Sequence, residues 1–285
     1  MKKKTRLLSC PGILIFAFAF SSAAYASEIG NPGAVNTLHG KGVFSLKEDR
    51  NVPIEASVDV DFILNRDLTA GDVTKTALRT SEWYFLKIGY TMFNRIEPYV
   101  RLGGAHLKAR WTDTDTGTQV AMDTSSGFAW GLGIKTLVYE FKSPNIKLIC
   151  DGSYRTTKLD PYKGYIDSHE TTITKTASRF VIREWQAALL ASTETPLPDM
   201  FNYFEDLKKY KLSPYAGIKY SEISGRLRMF ETDTGAIYHP DNIKADKNIG
   251  IVVGCDLVGD DYVSLNIEGR FIDETAVSTG LAVLF

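Results

Sequence analysis

The sequence predicts an all-β fold, an antiparallel up-and-down transmembrane β-barrel. Three observations lead to this fold class. Polar and apolar residues alternate in segments long enough to cross a membrane as tilted strands, short connections alternate with long ones, and the chain closes on an apolar segment with an aromatic last residue. We expect ten strands, with eight or twelve as the alternatives.

Two segments show the alternation most clearly. In 54–64 the even-numbered residues are apolar, whereas the odd-numbered residues from Glu55 to Asp61 are polar. In 263–271 the odd-numbered residues are apolar or glycine and the even-numbered ones are polar. A soluble β-sandwich would show the same alternation with its apolar face inward, so no single strand decides between the two folds.

The connections between these segments favour a barrel. Barrels of the outer-membrane type join an even number of strands by short periplasmic turns and longer external loops. The short connections are at 93–96, 142–144 and 259–260, and the long ones are at 66–78, 113–126, 157–178 and 231–246. The ten predicted strands are 54–65, 79–92, 97–112, 127–141, 145–156, 179–194, 212–230, 247–258, 261–272 and 275–285.

The connection 195–211 departs from this rule because it is long for a periplasmic turn. Phe201, Phe204, Leu207 and Tyr210 recur within it at helical spacing among charged residues. This pattern predicts a short amphipathic helix, which either rests at the membrane interface or packs under the barrel mouth.

The amino-terminal residues have the three parts of a secretory signal peptide. A basic start is followed by an apolar run at 12–20 and by the small-any-small sequence Ala24-Tyr25-Ala26. We therefore divide the chain into a signal peptide at 1–26, an N-terminal periplasmic lead or plug at 27–53, and an outer-membrane barrel at 54–285. The segment 27–53 could also supply an extra strand.

Charge and cysteine content narrow the function classes. The signal peptide carries four basic and no acidic side chains, so its removal changes the net charge from -1 to -5. This mild acidity argues against nucleic acid as a partner. Of the three cysteines, Cys150 and Cys255 remain. Both have the parity of the outward face on strands that are not neighbours, so we expect two free thiols.

The polar face of the strands is expected to line the lumen. Charged side chains in a cavity of low dielectric constant must be paired or hydrated, and ten strands enclose only a narrow interior. We therefore expect a salt-bridged core that fills the barrel. The alternative is a narrow polar gap, or a gate formed by rearranging ion pairs, that passes small solutes. The predicted lumen charge network consists of Glu55, Asp59, Asp61, Lys135, Asp256, Glu268 and Arg270, and the same parity places Lys87, Lys147, Asp151, Arg155, Glu184 and Lys219 inside.

Basic residues change parity within two of the predicted strands, 97–112 and 212–230. A β-bulge shifts the alternation by one residue. The sequence therefore predicts a bulge near Gly104 in the first strand and near Gly225 in the second.

The carboxyl-terminal segment resembles the C-terminal strand signal of bacterial outer-membrane β-barrel proteins. The resemblance implies that the barrel-assembly machinery recognises this segment. The residues that carry it are Ser278, Gly280, Val283 and Phe285.

Three further segments, 96–104, 128–135 and 212–220, look like strands of small outer-membrane barrels of the OmpA/OmpX and opacity-protein kind. The resemblance implies a membrane-embedded antiparallel barrel in the bacterial outer membrane. It implies no substrate and no cofactor.

The external loops contain few residues with catalytic or metal-binding chemistry. The similar segments 113–117 and 231–235 are acidic, but a solvated hairpin tip explains them better than a calcium site. Asp113, Asp115, His239 and Asp241 could form the rim carboxylates and Asp-His dyad of omptin proteases, yet no omptin motif surrounds them. Ser168 beside His169 is too little for an acyl-transfer site. We predict no catalytic, metal or cofactor residues and no enzymatic activity.

We therefore expect an integral outer-membrane barrel with a charge-filled lumen. Its expected role is that of an envelope scaffold or a surface-interaction protein that acts through its external loops. A small gated porin is the alternative, and a protease or lipid-modifying enzyme active at the rim is less favoured. The expected partners are outer-membrane lipids, the barrel-assembly machinery and an extracellular ligand at the loops.

Overall fold

The computed structural model describes residues 54–284 except for 72, 94, 143–144, 176, 197–209, 241 and 260–262. The expected signal peptide, the segment 27–53, most of the expected helix at 195–211 and Phe285 lie outside the described residues. Within the described part of the chain, no helix is long and apolar enough to cross a membrane.

The described residues form seventeen strand segments, most of them joined in pairs by short connections. In chain order these are β1 (Ile54–Ala70), β2 (Val73–Tyr90), β3 (Ile96–His106), β4 (Lys108–Asp113), β5 (Gln119–Thr124), β6 (Gly127–Lys142), β7 (Asn145–Leu159), β8 (Pro161–Ile166), β9 (His169–Thr171), β10 (Arg179–Thr193), β11 (Thr195–Pro196), β12 (Lys211–Phe230), β13 (Ile237–Tyr238), β14 (Ile243–Ala245), β15 (Ile249–Val258), β16 (Val263–Phe271) and β17 (Thr275–Leu284).

The segments close into one antiparallel barrel. β1 pairs with β2 on one side and with β17 on the other, so the sheet has no free edge there. The ring runs β1, β2, β3, β6, β7, β10, β12, β15, β16, β17 and back to β1. The predicted fold class, an antiparallel up-and-down barrel, is confirmed.

The predicted count of ten strands is wrong for the described residues. Ten positions make up the ring, but several of them hold two segments end to end, such as β3 with β4 and β7 with β8. The ladder is interrupted at Leu107, 125–126 and Asp160, where the backbone leaves strand geometry. Sequence alternation alone does not reveal these interruptions.

The strands also continue beyond their predicted ends. Instead of a long loop at 66–78, β1 and β2 form a tight hairpin in which Ala70 pairs with Val73. The predicted loop at 157–178 contains the end of β7 together with β8 and β9, and that at 231–246 contains β13 and β14. We call this end of the barrel the loop end, and the end with Ile54 the turn end.

The outward face of the wall changes from apolar to polar along the strands, and the inward face changes from polar to apolar. Near the turn end, Ile218 of β12 points outward and Lys219 inward, whereas near the loop end Arg228 points outward and Leu227 inward. The predicted bulge near Gly225 is wrong, because β12 keeps one register with β10 along 215–228.

The predicted bulge near Gly104 is wrong for the same reason, since β3 keeps one register with β2 along 99–106. The change in parity that the basic residues show marks the level at which the outward face of each strand changes from apolar to polar. Above that level polar residues face outward, as they do in a soluble β-barrel.

Bulges are found elsewhere, in β1 and β2. The register of β1 with β17 shifts between Ile63 and Asn65, and this shift turns Arg66 toward the interior. In β2, Thr80 has a φ angle of 46°, and Arg79 and Thr80 are both exposed. These bulges decide which side chains of the loop half face inward.

The β16–β17 hairpin ends below the loop end, and β14 passes over it. β14 pairs with β12 through Ser224 and Lys244 and with β1 through Leu68 and Ala245. The ring is therefore narrower at the loop end, where β14 alone lies between β12 and β1. This arrangement encloses the tip of the β16–β17 hairpin inside the protein.

Candidate functional site in the barrel interior

An apolar belt surrounds the outward face of the half of the barrel nearer the turn end, which we call the turn half; the other half is the loop half. On β16 the exposed apolar residues run from Val263 to Phe271, about 21 Å along the barrel axis at a strand tilt of about 40°, close to the apolar band of about 25 Å in outer-membrane barrels. A closed antiparallel barrel with such a belt is membrane-spanning and of the outer-membrane type. The belt consists of Ile54, Val58, Leu64, Tyr84, Leu86, Ile88, Tyr90, Val100, Leu102, Phe128, Trp130, Leu132, Ile134, Val138, Tyr139, Phe141, Trp185, Leu189, Ile218, Tyr220, Ile249, Ile251, Val253, Val263, Leu265, Ile267, Phe271 and Leu281.

The interior behind this belt is mainly charged, with one smaller apolar cluster that consists of Leu137, Ile149, Ala188, Leu190, Tyr215 and Val252. All seven residues of the predicted lumen network lie inside, and each is at most 1% exposed. The structure joins them with side chains that the sequence pattern had not placed inside. We use the name charge network for Glu55, Asp59, Asp61, Arg66, Lys87, Glu97, Arg101, Lys135, Asp151, Arg155, Glu184, Lys219, Asp256, Glu268, Arg270, Asp273 and Glu274.

Arg270 of β16 is a central member of the charge network. Its guanidinium group pairs with Asp61, donates from Nε to Glu274 Oε1 at 2.7 Å, and lies 3.3 Å from Glu268 Oε1. It also donates to Ser278 Oγ at 2.6 Å. One cation thus holds carboxylates from three separate parts of the wall.

Arg155 of β7 continues the network across the lumen. It pairs with Asp61 of β1 and donates from Nε to Glu184 Oε2 of β10 at 2.6 Å. Its guanidinium carbon lies 4.6 Å from the centre of the Trp83 ring, a cation–π contact. Arg66 pairs with the same Glu184, so β1, β7 and β10 are tied together through one carboxylate.

The tip of the β16–β17 hairpin supplies two residues that lie between the predicted strands 261–272 and 275–285. Glu274 pairs with Lys219 of β12 and lies 3.1 Å from Arg66 Nη1. Asp273 lies 2.9 Å from Lys219 Nζ and accepts a hydrogen bond from Ser221 Oγ at 2.8 Å. Both are buried because β14 covers the hairpin, which no alternation pattern of residues 271–275 encodes.

A second group of charges lies nearer the turn end. Lys87 Nζ is 2.5 Å from Glu55 Oε1 and 3.8 Å from Glu97 Oε1, and Lys135 Nζ is 3.5 Å from the same Glu97 oxygen. Arg101 Nε is 3.9 Å from Asp59 Oδ2. Glu97 and Arg101 share the inward parity of Tyr99 on β3, a regularity from which sequence reasoning could have placed them.

Two inward tyrosines connect these charges to the wall. Tyr99 donates to Asp151 Oδ1 and Tyr215 donates to Glu268 Oε2, each at 2.9 Å. Each ring lies over a glycine directly opposite in the neighbouring strand, Gly133 for Tyr99 and Gly254 for Tyr215. A methyl group at either glycine would collide with the ring, so glycine is required for this close approach.

The charge network contains ten carboxyl groups and seven basic groups, counted from the named members. The excess of carboxyl groups means that any ion path through this layer would favour cations over anions.

Toward the loop end the interior changes from charged to apolar. Buried side chains from every ring strand except β15 and β16, together with β14, pack into a single cluster, so they span the cross-section of the barrel. We call this cluster the apolar septum. It consists of Ile63, Leu68, Leu78, Trp83, Phe85, Ala105, Leu107, Ala109, Trp111, Val120, Met122, Ala129, Leu159, Phe180, Ile182, Ile223, Leu227, Met229, Ile243, Ala245 and Ala276.

The sequence analysis did not predict the apolar septum. The signal for it was present in the inverted alternation of 227–230, where apolar residues occupy the parity that is charged lower in the same strand. The septum explains that inversion without a bulge.

The acidic tips at the loop end are hydrogen-bonded turns. Asp113 Oδ1 accepts hydrogen bonds from Thr116 N at 2.9 Å and from Asp115 N at 3.1 Å, and these bonds lower the pKa of Asp113. Glu231 accepts from Thr171 Oγ1 at 2.8 Å. Within the described ranges, no group of three or more His, Cys, Asp or Glu side chains is arranged to hold a metal ion.

The remaining residues considered from sequence that the structure describes lie at the loop end or on the outward face of the wall. His239 is exposed, and Asp241 lies outside the described residues. Ser168 lies in the turn between β8 and β9, His169 is the first residue of β9, and both are exposed. Cys150 and Cys255 are free thiols on the outward face.

The predicted assembly signal falls largely on β17. Ser278, Gly280 and Val283 pair with both β16 and β1, and Ser278 is buried. Phe285 lies outside the described residues. The recognition of this strand by the assembly machinery stays a prediction.

No protein-family model matches the chain, and no curated protein matches it. Among solved structures, the chain is similar to the outer membrane protease OmpT from Escherichia coli, with a TM-score of 0.46 and 9% identity over 86% of this chain and 100% of that one. It is similar to the translocator domain of the autotransporter NalP from Neisseria meningitidis, with a TM-score of 0.38 and 11% identity over 88% and 91% of the two chains. For the toluene transporter TbuX from Ralstonia pickettii the values are 0.35 and 9% over 92% and 95%. With TM-scores below 0.5, these similarities carry no argument about function.

Proposed function

We propose that this protein is a closed outer-membrane barrel that acts as an envelope scaffold and presents its loop end as an interaction surface. The observation that carries the proposal is the filling of the interior along its length. The charge network lies behind the belt, and the apolar septum begins behind the last belt residues and continues beyond them toward the loop end.

The septum argues against a passive pore. An aqueous path needs a wettable lining, and apolar constrictions close a pore by excluding water. Trp83, Trp111 and Phe180 are among the largest fully buried side chains of the described residues, and all three belong to the septum. Water and small solutes would have to displace this packed layer in order to pass.

The charge network supports a scaffold in a second way. Its ion pairs join strands that are far apart in the ring, as Arg66 of β1 does with Glu184 of β10. Such cross-lumen pairs hold the wall in one shape, although each charge costs desolvation free energy. A rigid wall is suited to displaying a fixed surface.

The loop half provides that surface. β12 continues ten residues past Tyr220, its last residue in the belt, which corresponds to about 26 Å along the axis at a tilt of about 40°. The resemblance of the strand motifs to small barrels of the OmpA/OmpX and opacity-protein kind is consistent with such a role. The partners that we propose are outer-membrane lipids, the barrel-assembly machinery and an extracellular ligand at the loops.

A recording in planar lipid bilayers tests whether the barrel is closed. Wild-type protein, refolded and checked by heat-modifiable gel migration, should give no discrete conductance steps, whereas an open porin recorded in parallel should give them. Regular steps from the wild-type protein would reverse the proposal and favour a small gated channel. The excess of carboxyl groups in the charge network then predicts selectivity for cations.

An exchange of the loop end tests the interaction surface. Replacing 114–118 and 232–235 by glycine and serine should leave the barrel folded but abolish complementation of cells that lack the protein, measured as resistance to detergents or as adhesion. Full complementation by this variant would contradict an interaction role of these loops.

We also propose no catalytic activity, because the Asp113 carboxylate is engaged within its own turn.

A further inference from the structure

Six basic side chains lie together on the outward face of β7, β10, β12 and β14. All six are exposed. We call them the basic patch: Lys158, Arg179, Arg183, Arg226, Arg228 and Lys244.

Strand pairing arranges the basic patch in three consecutive rows. Rows on one face are two residues apart along the strands, and neighbouring strands are about 4.8 Å apart, so the six residues occupy an area of about 14 by 14 Å. The rows contain Arg183 and Lys244 on either side of Ser224, then Lys158 and Arg226 on either side of Val181, then Arg179 directly opposite Arg228.

This arrangement is unfavourable for the isolated protein. Like charges directly opposite each other in a sheet are destabilising, and Arg179 faces Arg228 across the β10–β12 ladder. Among the described residues, the six make no ion pair. By contrast, His106 and Lys108, on the neighbouring strands β3 and β4, share the carboxylate of Asp123 on β5 at 2.6 and 3.4 Å. An anionic ligand would offset the repulsion within the patch.

The basic patch begins where the apolar belt ends. The row immediately below it contains Tyr154, Trp185 and the exposed Glu222. The ring centres of Tyr154 and Trp185 are 4.6 Å apart, and Trp130 packs against Tyr154 at 5.6 Å. Aromatic side chains of this kind form girdles at the membrane–water interface of barrels. The patch therefore starts at the level of the lipid headgroups, on the side of the membrane that the loops face.

We propose that the basic patch binds the phosphate groups of an anionic lipid in the outer leaflet, with the acyl chains of that lipid against the belt below. Four of the six residues are arginine, whose planar guanidinium group binds phosphate through two parallel hydrogen bonds. We choose a lipid because the patch is continuous with the belt: a lipid would contact both surfaces, whereas a soluble anion would contact the patch alone. This inference rests on the outer-membrane lipids proposed above as partners, for which it names a class and a site, but it does not depend on the scaffold role.

Titration with a bisphosphorylated glycolipid tests the proposal. The protein in neutral detergent is titrated with the fluorescent glycolipid and, separately, with its dephosphorylated form. Each basic side chain near an anionic membrane surface contributes roughly a factor of five in affinity, so Arg179→Gln/Arg226→Gln/Arg228→Gln should weaken binding about 100-fold. The dephosphorylated form should bind wild type as weakly as the phosphorylated form binds this variant.

The matched control is Lys75→Gln/Lys163→Gln/Lys175→Gln, which removes three charges at the rim of the loop end. It should bind the bisphosphorylated glycolipid within twofold of wild type. Equal losses in the two triple variants would mean that net charge alone attracts the lipid, and would overturn the assignment to the patch. Displacement of the glycolipid by equimolar inorganic phosphate would show a free-phosphate site and would overturn the lipid assignment.

Heat-modifiable migration establishes that each variant is folded before titration. If the patch triple variant does not fold, Arg228→Gln alone serves in its place, because it removes one member of the repulsive pair. It should fold and bind about fivefold more weakly than wild type. Unchanged affinity in this folded variant would overturn the proposal.

Discussion

Replacing Arg270 by methionine removes the cation of the charge network that contacts the largest number of carboxylates, three in all. In the wild-type protein its guanidinium group contacts Asp61, Glu268 and Glu274, all fully buried. After Arg270→Met these three carboxylates remain in the interior with fewer partners. Removing one partner of a buried ion pair costs about 3 to 5 kcal/mol, because the remaining charge is left uncompensated.

The contacts that remain set the expected value within this range. Asp61 retains Arg155, Glu274 retains Lys219 and Arg66, and Glu268 retains the hydroxyl of Tyr215. None of the carboxylates is left without a donor, so we expect a loss of about 3 kcal/mol in the free energy of unfolding, at the lower end of the range.

Equilibrium unfolding by urea in detergent micelles measures this loss through tryptophan fluorescence. Arg110→Met is the matched control, because Arg110 is exposed on the outward face of β4, and its free energy of unfolding should change by less than about 0.5 kcal/mol. An Arg270→Met variant that unfolds with the wild-type midpoint but shows altered conductance would refute the reasoning. It would mean that the lumen is hydrated and that water screens the lost charge.

Three further predictions concern the strained turn, the belt and an acidic tip. Ile272 has a φ angle of 84°, which is costly for a β-branched residue. Ile272→Gly should therefore unfold at a higher urea midpoint than Ile272→Ala, because both variants lose the same apolar contacts but only alanine retains Cβ. Equal midpoints would exclude backbone strain at this position. Ile267→Arg should lose about 2 to 4 kcal/mol of stability in lipid vesicles and Val263→Arg, at the strand end, about 0 to 1 kcal/mol. Similar losses at both positions would contradict our placement of the belt. The hydrogen bonds to Asp113 hold the pKa of its carboxyl group below the ordinary 3.8. The turn should therefore stay intact above that pH and open as the pH falls through the lowered pKa. The NMR resonance of the Thr116 amide reports the opening, and a change in this resonance near pH 5 would contradict the prediction.

The sequence alone was sufficient for the fold class and for the orientation of most membrane-level side chains. Glu268 and Arg270 lie inside and Leu265 and Ile267 outside, as alternation on β16 predicted. This inference succeeds because successive side chains of a strand point to opposite faces, a property of consecutive residues alone. Within the membrane, water exclusion then decides which face must be apolar.

Residues near bulges and tight turns could not be placed in this way. Arg66 faces inward only because β1 shifts register after Ile63, and Glu274 is buried only because β14 crosses over its hairpin. The partners of these two residues, such as Glu184 for Arg66 and Lys219 for Glu274, are far away in the sequence. Their positions depend on contacts between distant strands, to which local alternation is insensitive.

The alternation of β12 shows the same division within one strand. It determined that Lys219 and Leu227 share a face, but it could not determine that this one face is charged in the membrane and apolar beyond it. The tertiary structure decided that, by closing the loop half around the apolar septum. The physical reason is that the period of a strand is local, whereas the side exposed to water or lipid depends on height in the membrane and on the strands that pack opposite.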